Sequence, residues 1–166
     1  MTRPSEVMTV ATPSGPARAH LHVPAGAARG LVALGHGAGG GVGAPDLVAA
    51  TSVAVALGAT VALVEQPYRV AGRRTPAPAP RLDAAWIAVV AHLRESLRPA
   101  GPLIAGGRSS GARVACRTAA ATRAAGVLCL AFPLRPPVGA GRPPRPSRLA
   151  ELEAVAVPLL IVQGEK

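Results

Sequence analysis

The residues best suited to chemistry in this sequence form the pentapeptide Gly107-Arg-Ser-Ser-Gly111, which fits the pattern G-x-S-x-G. In that pattern the central serine sits on a strained turn between a strand and a helix, and the flanking glycines let neighbouring backbone approach closely. Ser109 is the central serine, because moving the register to Ser110 would put Arg108 at a position that needs a small residue. The apolar run 103–106 precedes the motif and an Ala-rich segment follows it, so we predict Ser109 as a nucleophile.

A second glycine-rich stretch, Leu34-Gly-His-Gly-Ala-Gly-Gly40, follows another apolar run and has two interpretations. It can be a loop that presents backbone N–H groups to a developing oxyanion. It also contains Gly35-x-Gly37-x-x-Gly40, and Glu65 ends the next apolar run, as in a dinucleotide-binding fingerprint. A β-hairpin predicted before the stretch and the insertion 41–44 after it count against the dinucleotide interpretation, which also leaves Ser109 unexplained.

The elements that must position these motifs alternate between strand and helix. Short strand-like segments open the chain at 7–11 and 17–23, and further strands are predicted at 30–34, 60–64, 103–106, 126–131 and 158–162. Helices are predicted at 45–57, 81–97, 110–125 and 149–154. The Pro- and Arg-rich segment 133–148 predicts an exposed loop. This order predicts one α/β domain over 1–166, a mostly parallel sheet with helices on both faces.

Composition limits the classes of partner. The formal net charge is +10, and all 18 basic residues except Lys166 are arginines. They are scattered and lack an aromatic platform, so we predict no nucleic-acid partner. His20 and His22 share a strand face without a third ligand nearby, so we predict a solvated face and no metal site.

Three further features predict a cytoplasmic protein with no membrane partner. Cys116 and Cys129 lie in apolar segments and form no CxxC pair, which predicts buried thiols in a reducing compartment. The N-terminal residues contain no apolar stretch typical of a signal peptide. The uncharged stretch 47–64 is broken by Gly58 and is better explained as a helix followed by a buried strand.

The chain resembles the small dienelactone-hydrolase-like branch of the α/β-hydrolase superfamily. The resemblance is carried by LGHGAGG at 34–40, VEQPYRVAGRR at 64–74, GGRSSGAR at 106–113 and the closing PLLIVQGEK. It implies a cofactor-free serine hydrolase that acts on a small-molecule ester or related acyl substrate through an acyl-enzyme at Ser109.

The resemblance also implies roles around Ser109. The backbone N–H groups of Ala38 and Ser110 would form the oxyanion hole, with Gly39 as the second choice for the loop donor. Gly37, Gly39 and His36 would support that loop. His36 either orients the loop by hydrogen bonding or is tolerated in a turn, and neither role makes it the catalytic base.

The sequence departs from the family pattern at the acid and the histidine. On this fold the order is serine, acid, histidine, yet all four histidines precede Ser109. Glu165 alone stands near the expected acid position. We therefore expect a domain that lacks the final strand and helix, which would expose a sheet edge and favour self-association. Three hypotheses stay open, namely an incomplete serine hydrolase, an inactive relative that binds a ligand or partner, and a dinucleotide-binding domain.

Overall fold

The computed structural model describes residues 6–136 and 145–164. Their strands form one seven-stranded sheet in the order β1-β2-β4-β3-β5-β6-β7. The strands are β1 Glu6–Val10, β2 Ala17–His22, β3 Leu31–Gly35, β4 Thr60–Glu65, β5 Leu103–Arg108, β6 Gly126–Leu130 and β7 Leu159–Val162. The helices are α1 Pro45–Ala56, α2 Pro67–Val70, α3 Ala79–Leu97, α4 Ser110–Thr118 and α5 Leu149–Glu153.

The sheet is parallel from β4 across to β7 and antiparallel at its other edge. The β1–β2 hairpin adds to β4 with Ala19 opposite Val64. β3 lies between β4 and β5, with Gly35 opposite both Val64 and Gly107. The carboxyl ends of β3, β4 and β5 therefore meet at one edge of the sheet, where loops of an α/β protein form sites.

Helices pack on both faces of the sheet, as predicted. Trp86, Val89 and Leu93 of α3 are fully buried in the larger core cluster, which also takes in α4. α1 packs Leu47 into a smaller cluster with Leu34 and Val61 on the opposite face. The predicted fold class is confirmed. At the β7 edge of the described sheet, Leu160, Ile161 and Val162 are exposed.

The helix predicted over 110–125 is wrong at its end, because α4 stops at Thr118 and residues 119–123 form turns. The Thr122 hydroxyl donates to the carbonyls of Thr118 and Ala119, and Arg123 has φ of 50°. Side-chain hydrogen bonds of this kind compete with helix continuation, and the left-handed residue turns the chain towards β6. α2 is a single turn within a segment predicted as loop.

The predicted strand face carrying His20 and His22 is only partly solvated. The His20 Nε2 lies 3.5 Å from a carboxylate oxygen of Glu65, and His22 is 7% exposed. Among the described residues no group of three or more His, Cys, Asp or Glu side chains could hold a metal ion. Cys116 and Cys129 are buried free thiols, as predicted, with their sulfurs 3.5 Å apart between α4 and β6.

Candidate active site

Ser109 occupies the sharp turn that joins β5 to α4. Its φ of 51° and ψ of −104° lie outside the regions that L-residues normally adopt, so the backbone here is strained. The Ser109 N–H donates to the carbonyl of Leu130 over 2.9 Å, and its own carbonyl accepts from the Arg113 N–H. These bonds hold the turn between β6 and the first turn of α4.

The glycines on either side of Ser109 are required by the backbone of Gly35. A Cβ on Gly107 or on Gly111 would overlap the Gly35 carbonyl oxygen. Because this oxygen belongs to the backbone, no side-chain rotation could relieve the overlap. Gly107 also has φ of 155°. The G-x-S-x-G spacing thus allows β5 and α4 to press against the end of β3, from which the glycine-rich loop departs.

His36, the first residue of that loop, is buried and bonded at both ring nitrogens. Its Nε2 accepts the backbone N–H of Gln66 over 3.1 Å, and its Nδ1 lies 2.8 Å from the Gly37 carbonyl oxygen. Because an N–H can only donate, Nε2 carries no proton, and the neutral ring donates from Nδ1. Burial lowers the pKa of His36, against the hydrogen bond to Gly37, which acts to raise it.

Tyr68 holds the next peptide of the loop. Its hydroxyl donates to the Ala38 carbonyl over 2.9 Å, and its ring packs against the ring of His36 with centroids 5.7 Å apart. Gln66 and Tyr68 received no role from sequence reasoning. The signal that could have found them is their place directly after β4, the strand next to β3, where side chains reach the neighbouring loop.

A cavity of about 350 Å³ opens beside the serine, and Ala38, Ser109 and Ser110 all line it. Gly39 is not among its lining residues. Within the described residues the Ala38 N–H has no acceptor, and the Ser110 N–H, in the first turn of α4, has no intrahelical one. Two residues whose backbone N–H groups have no acceptor among the described residues therefore line the same cavity as Ser109.

The described residues place no base at Ser109. Its hydroxyl makes no hydrogen bond to them, and no histidine, Asp or Glu lines the cavity. His36 has both nitrogens engaged, His20 and His22 lie on β2, and His92 lies on α3 with Nε2 3.3 Å from the Ser96 hydroxyl. Glu165 lies outside the described residues.

An ion pair connects the turn at Ser109 with the start of α1, the helix that follows the glycine-rich loop. Arg108 Nε donates to a carboxylate oxygen of Asp46 over 2.9 Å, and Asp46 stands in the first turn of α1. α1 begins at Pro45, well after Gly40, and Glu65 lies near Arg18 and His20. A dinucleotide site needs a helix that begins close to the third glycine and a carboxylate that is available to the ribose. The start of α1 and the contacts of Glu65 do not match this geometry.

Comparisons with known proteins identify the family of the chain. The model of an α/β-hydrolase domain family matches residues 28–166. No curated protein matches the chain. In the described residues no helix combines the length and the apolar composition needed to cross a bilayer.

Solved structures of α/β serine hydrolases share the fold. An α/β serine hydrolase homologue from Coxiella burnetii superposes with a TM-score of 0.75 at 16% identity, covering 98% of this chain and 75% of that one. XC6422 from Xanthomonas campestris, described as an α/β serine hydrolase without a lid, gives 0.73 at 19% identity, covering 98% of this chain and 84% of that one. Est1E from Butyrivibrio proteoclasticus gives 0.66 at 18% identity over 76% of this chain and 51% of that one.

At these identities the structural likeness concerns the fold, whereas the family match spans most of the chain. The serine turn between β5 and α4 and the loop after β3 lie within the matched residues. The chain belongs to the α/β-hydrolase family.

Proposed function

We propose that this protein is a serine hydrolase that cleaves small-molecule esters or related acyl substrates with Ser109 as nucleophile. The observation that carries the proposal is the strained turn at Ser109, which lines one cavity together with Ala38 and Ser110, two residues whose backbone N–H groups have no acceptor among the described residues. A strained turn at this position exposes the hydroxyl for attack, and preorganised donors stabilise the charge that attack creates. Family membership supports hydrolysis as the reaction class.

In the proposed reaction the Ser109 Oγ attacks the carbonyl carbon of the substrate while its proton passes to a general base. The carbonyl oxygen becomes an oxyanion that accepts hydrogen bonds from the Ala38 and Ser110 N–H groups. Collapse of this intermediate breaks the bond to the alcohol or thiol, which takes a proton from the base as it leaves, and an acyl group stays on Ser109. Water then attacks the acyl-enzyme by the same route, which releases the acid and restores the serine.

The reaction needs a base, since an unassisted serine hydroxyl is a weak nucleophile at neutral pH. The order serine, acid, histidine on this fold puts both partners of Ser109 later in the chain than the serine. None of the four histidines of this chain meets that order. We therefore propose that a histidine outside these 166 residues completes the site, and the intact mass of the product of the natural gene tests this directly.

Covalent labelling with a fluorophosphonate tests the nucleophile. In the product of the natural gene we expect modification of one site, mapped to Ser109 by peptide mass, and its loss in Ser109→Ala. Ser52→Ala is the matched control, because Ser52 is exposed on α1, away from the cavity. Labelling that persists in Ser109→Ala, or maps to another serine, would overturn the assignment.

A second function, ligand or partner binding without catalysis, is favoured by one observation, the lack of a base at Ser109 among the described residues. It predicts a natural gene product of 16.5 kDa that fluorophosphonates do not label.

The dinucleotide hypothesis is not favoured by the family match. We place the proposed hydrolase in the cytoplasm, on the ground that Cys116 and Cys129 are buried free thiols.

A further inference from the structure

The cavity beside Ser109 has a positively charged wall. Arg113, Arg117 and Arg148 line it, and no acidic residue among those described does so. Arginine remains protonated at any physiological pH, so the three guanidinium groups present fixed positive charge to whatever occupies the cavity.

Two of these arginines are already paired with carboxylates behind the cavity wall. Arg113 makes a bidentate contact with Glu151 at 2.9 and 2.6 Å. Arg117 makes one with Asp83 at 2.8 and 2.6 Å and also lies 3.5 Å from Glu151. Among the described residues two carboxylates thus pair with two of the three guanidinium groups, and the third guanidinium leaves the wall with an excess of one positive charge.

Arg148 carries that excess. Among the described residues no carboxylate lies within ion-pair distance of its guanidinium, which donates from Nη1 to the Pro133 carbonyl over 2.9 Å. The side chain is half-buried. Burial, then the charge of Arg113, lowers the pKa of Arg148 against the more distant charge of Glu151, so an anion beside the guanidinium would relieve an unfavourable environment.

We propose that the Ser109 cavity selects acyl substrates bearing an ionised carboxylate, and that Arg148 anchors this carboxylate; the inference rests on the proposed function of Ser109. Guanidinium groups suit the task because their planar fork can donate two parallel hydrogen bonds to a carboxylate. Arg148 and Ser109 line the same cavity, so a substrate held at one end by its carboxylate presents its ester carbonyl within that cavity. Arg148 is then a specificity-determining residue.

Calorimetric titration of the 166-residue chain with monomethyl glutarate and with dimethyl glutarate tests the anchor. The two ligands differ by one methyl group and one charge. Ser109→Ala is used throughout, so that binding is measured without turnover. We expect the monoester to bind roughly tenfold more tightly than the diester, the scale of one charge-assisted hydrogen bond. Raising the ionic strength should reduce the preference.

Substitutions assign the preference to one side chain. Arg148→Gln should abolish the preference, and Arg148→Lys, which keeps the charge, should retain most of it. Arg135→Gln removes the same charge from an exposed position outside the cavity and should leave the preference unchanged. Circular dichroism and thermal unfolding of each variant distinguish loss of binding from loss of the fold.

Equal affinity for the two glutarate esters, or equal loss in Arg135→Gln and Arg148→Gln, would overturn the inference. Failure of the proposed function is recognised separately. If the protein prefers the monoester but fluorophosphonate does not label Ser109, the anion site is supported and the assignment of the nucleophile is wrong. If Ser109 is labelled but the monoester is not preferred, the nucleophile is supported and the assignment of the anion site is wrong.

Discussion

The Gly37 carbonyl oxygen accepts a hydrogen bond from Nδ1 of His36 over 2.8 Å, and this bond sets the direction of the adjacent Ala38 N–H. A trans peptide is planar, with its C=O and N–H pointing in opposite directions, so holding one orients the other. The backbone N–H of Gln66 in turn holds the imidazole at Nε2. If Ala38 is an oxyanion donor, as we propose, His36 is a positioning residue for it.

Replacing His36 with alanine should slow labelling of Ser109 by about 10- to 100-fold, approaching the effect of removing one oxyanion donor. His36→Asn should recover part of the rate, because an asparagine amide lies near the place of Nδ1 and can donate to Gly37. His92→Asn, the same change on the outer side of α3, serves as control. A labelling rate unchanged in His36→Ala would show that the imidazole does not position the donor.

Acidification from pH 7.5 to 5.5 should destabilise the fold through its histidines. Burial lowers the pKa of both His36 and His22 below 6.5, and His20 adds to the effect at His22. Between those lowered values and 6.5 the unfolded chain binds more protons than the folded one. The free energy of unfolding therefore rises with pH across that window and falls on acidification.

Urea unfolding at several pH values measures this slope. His36→Asn removes one titrating group and should flatten the curve between pH 5.5 and 7.5. A wild-type stability that is level across this range would contradict the burial of neutral imidazoles.

The strongest steric prediction concerns Gly111, which lies in the first turn of α4. Helix propensity alone would favour alanine there by up to about 1 kcal/mol. The added Cβ would meet the backbone of Gly35, however, and overpacking of this kind costs typically about 1–3 kcal/mol or more. We expect Gly111→Ala to lower the free energy of unfolding and to reduce labelling of Ser109.

Gly39→Ala is the matched control, since a Cβ at Gly39 would have no heavy atom within 4 Å. Chemical denaturation of both variants compares the two positions. Wild-type stability in Gly111→Ala would mean that β3 and α4 are not pressed together at this point.

The sequence predicted the fold well because its patterns are local. The apolar stripe of α3 and the glycine spacing around Ser109 each follow from a few neighbouring residues. Contacts that depend on the meeting of distant segments escaped prediction. Nothing in the sequence indicates that Tyr68 bonds to Ala38, or that Arg148 is left without a carboxylate while Arg113 and Arg117 are paired. Side-chain pairs that form across the sheet edge leave no periodic pattern in the sequence from which they could be predicted.

The carboxylate of Glu151 joins α5 to α4, and its loss should be costly. Glu151 accepts two hydrogen bonds from Arg113 and lies 3.5 Å from Arg117, with its side chain only 19% exposed. We expect Glu151→Gln to lower the free energy of unfolding by about 1–3 kcal/mol, between the values for exposed and for buried pairs. Glu153→Gln, the same change at an exposed position of α5, should cost less than about 0.5 kcal/mol.

The pH dependence of the Glu151 variant gives a second test. Burial acts to raise the pKa of Glu151, but the hydrogen bonds and charge of Arg113, followed by Arg117, lower it below 4.5. The folded carboxylate thus binds protons less readily than the unfolded one. Its contribution is complete above pH 4.5 and is lost as pH falls through the lowered value. The stability difference between wild type and Glu151→Gln should therefore shrink below pH 4.5, and a difference that stays constant down to pH 3 would contradict the ion pair.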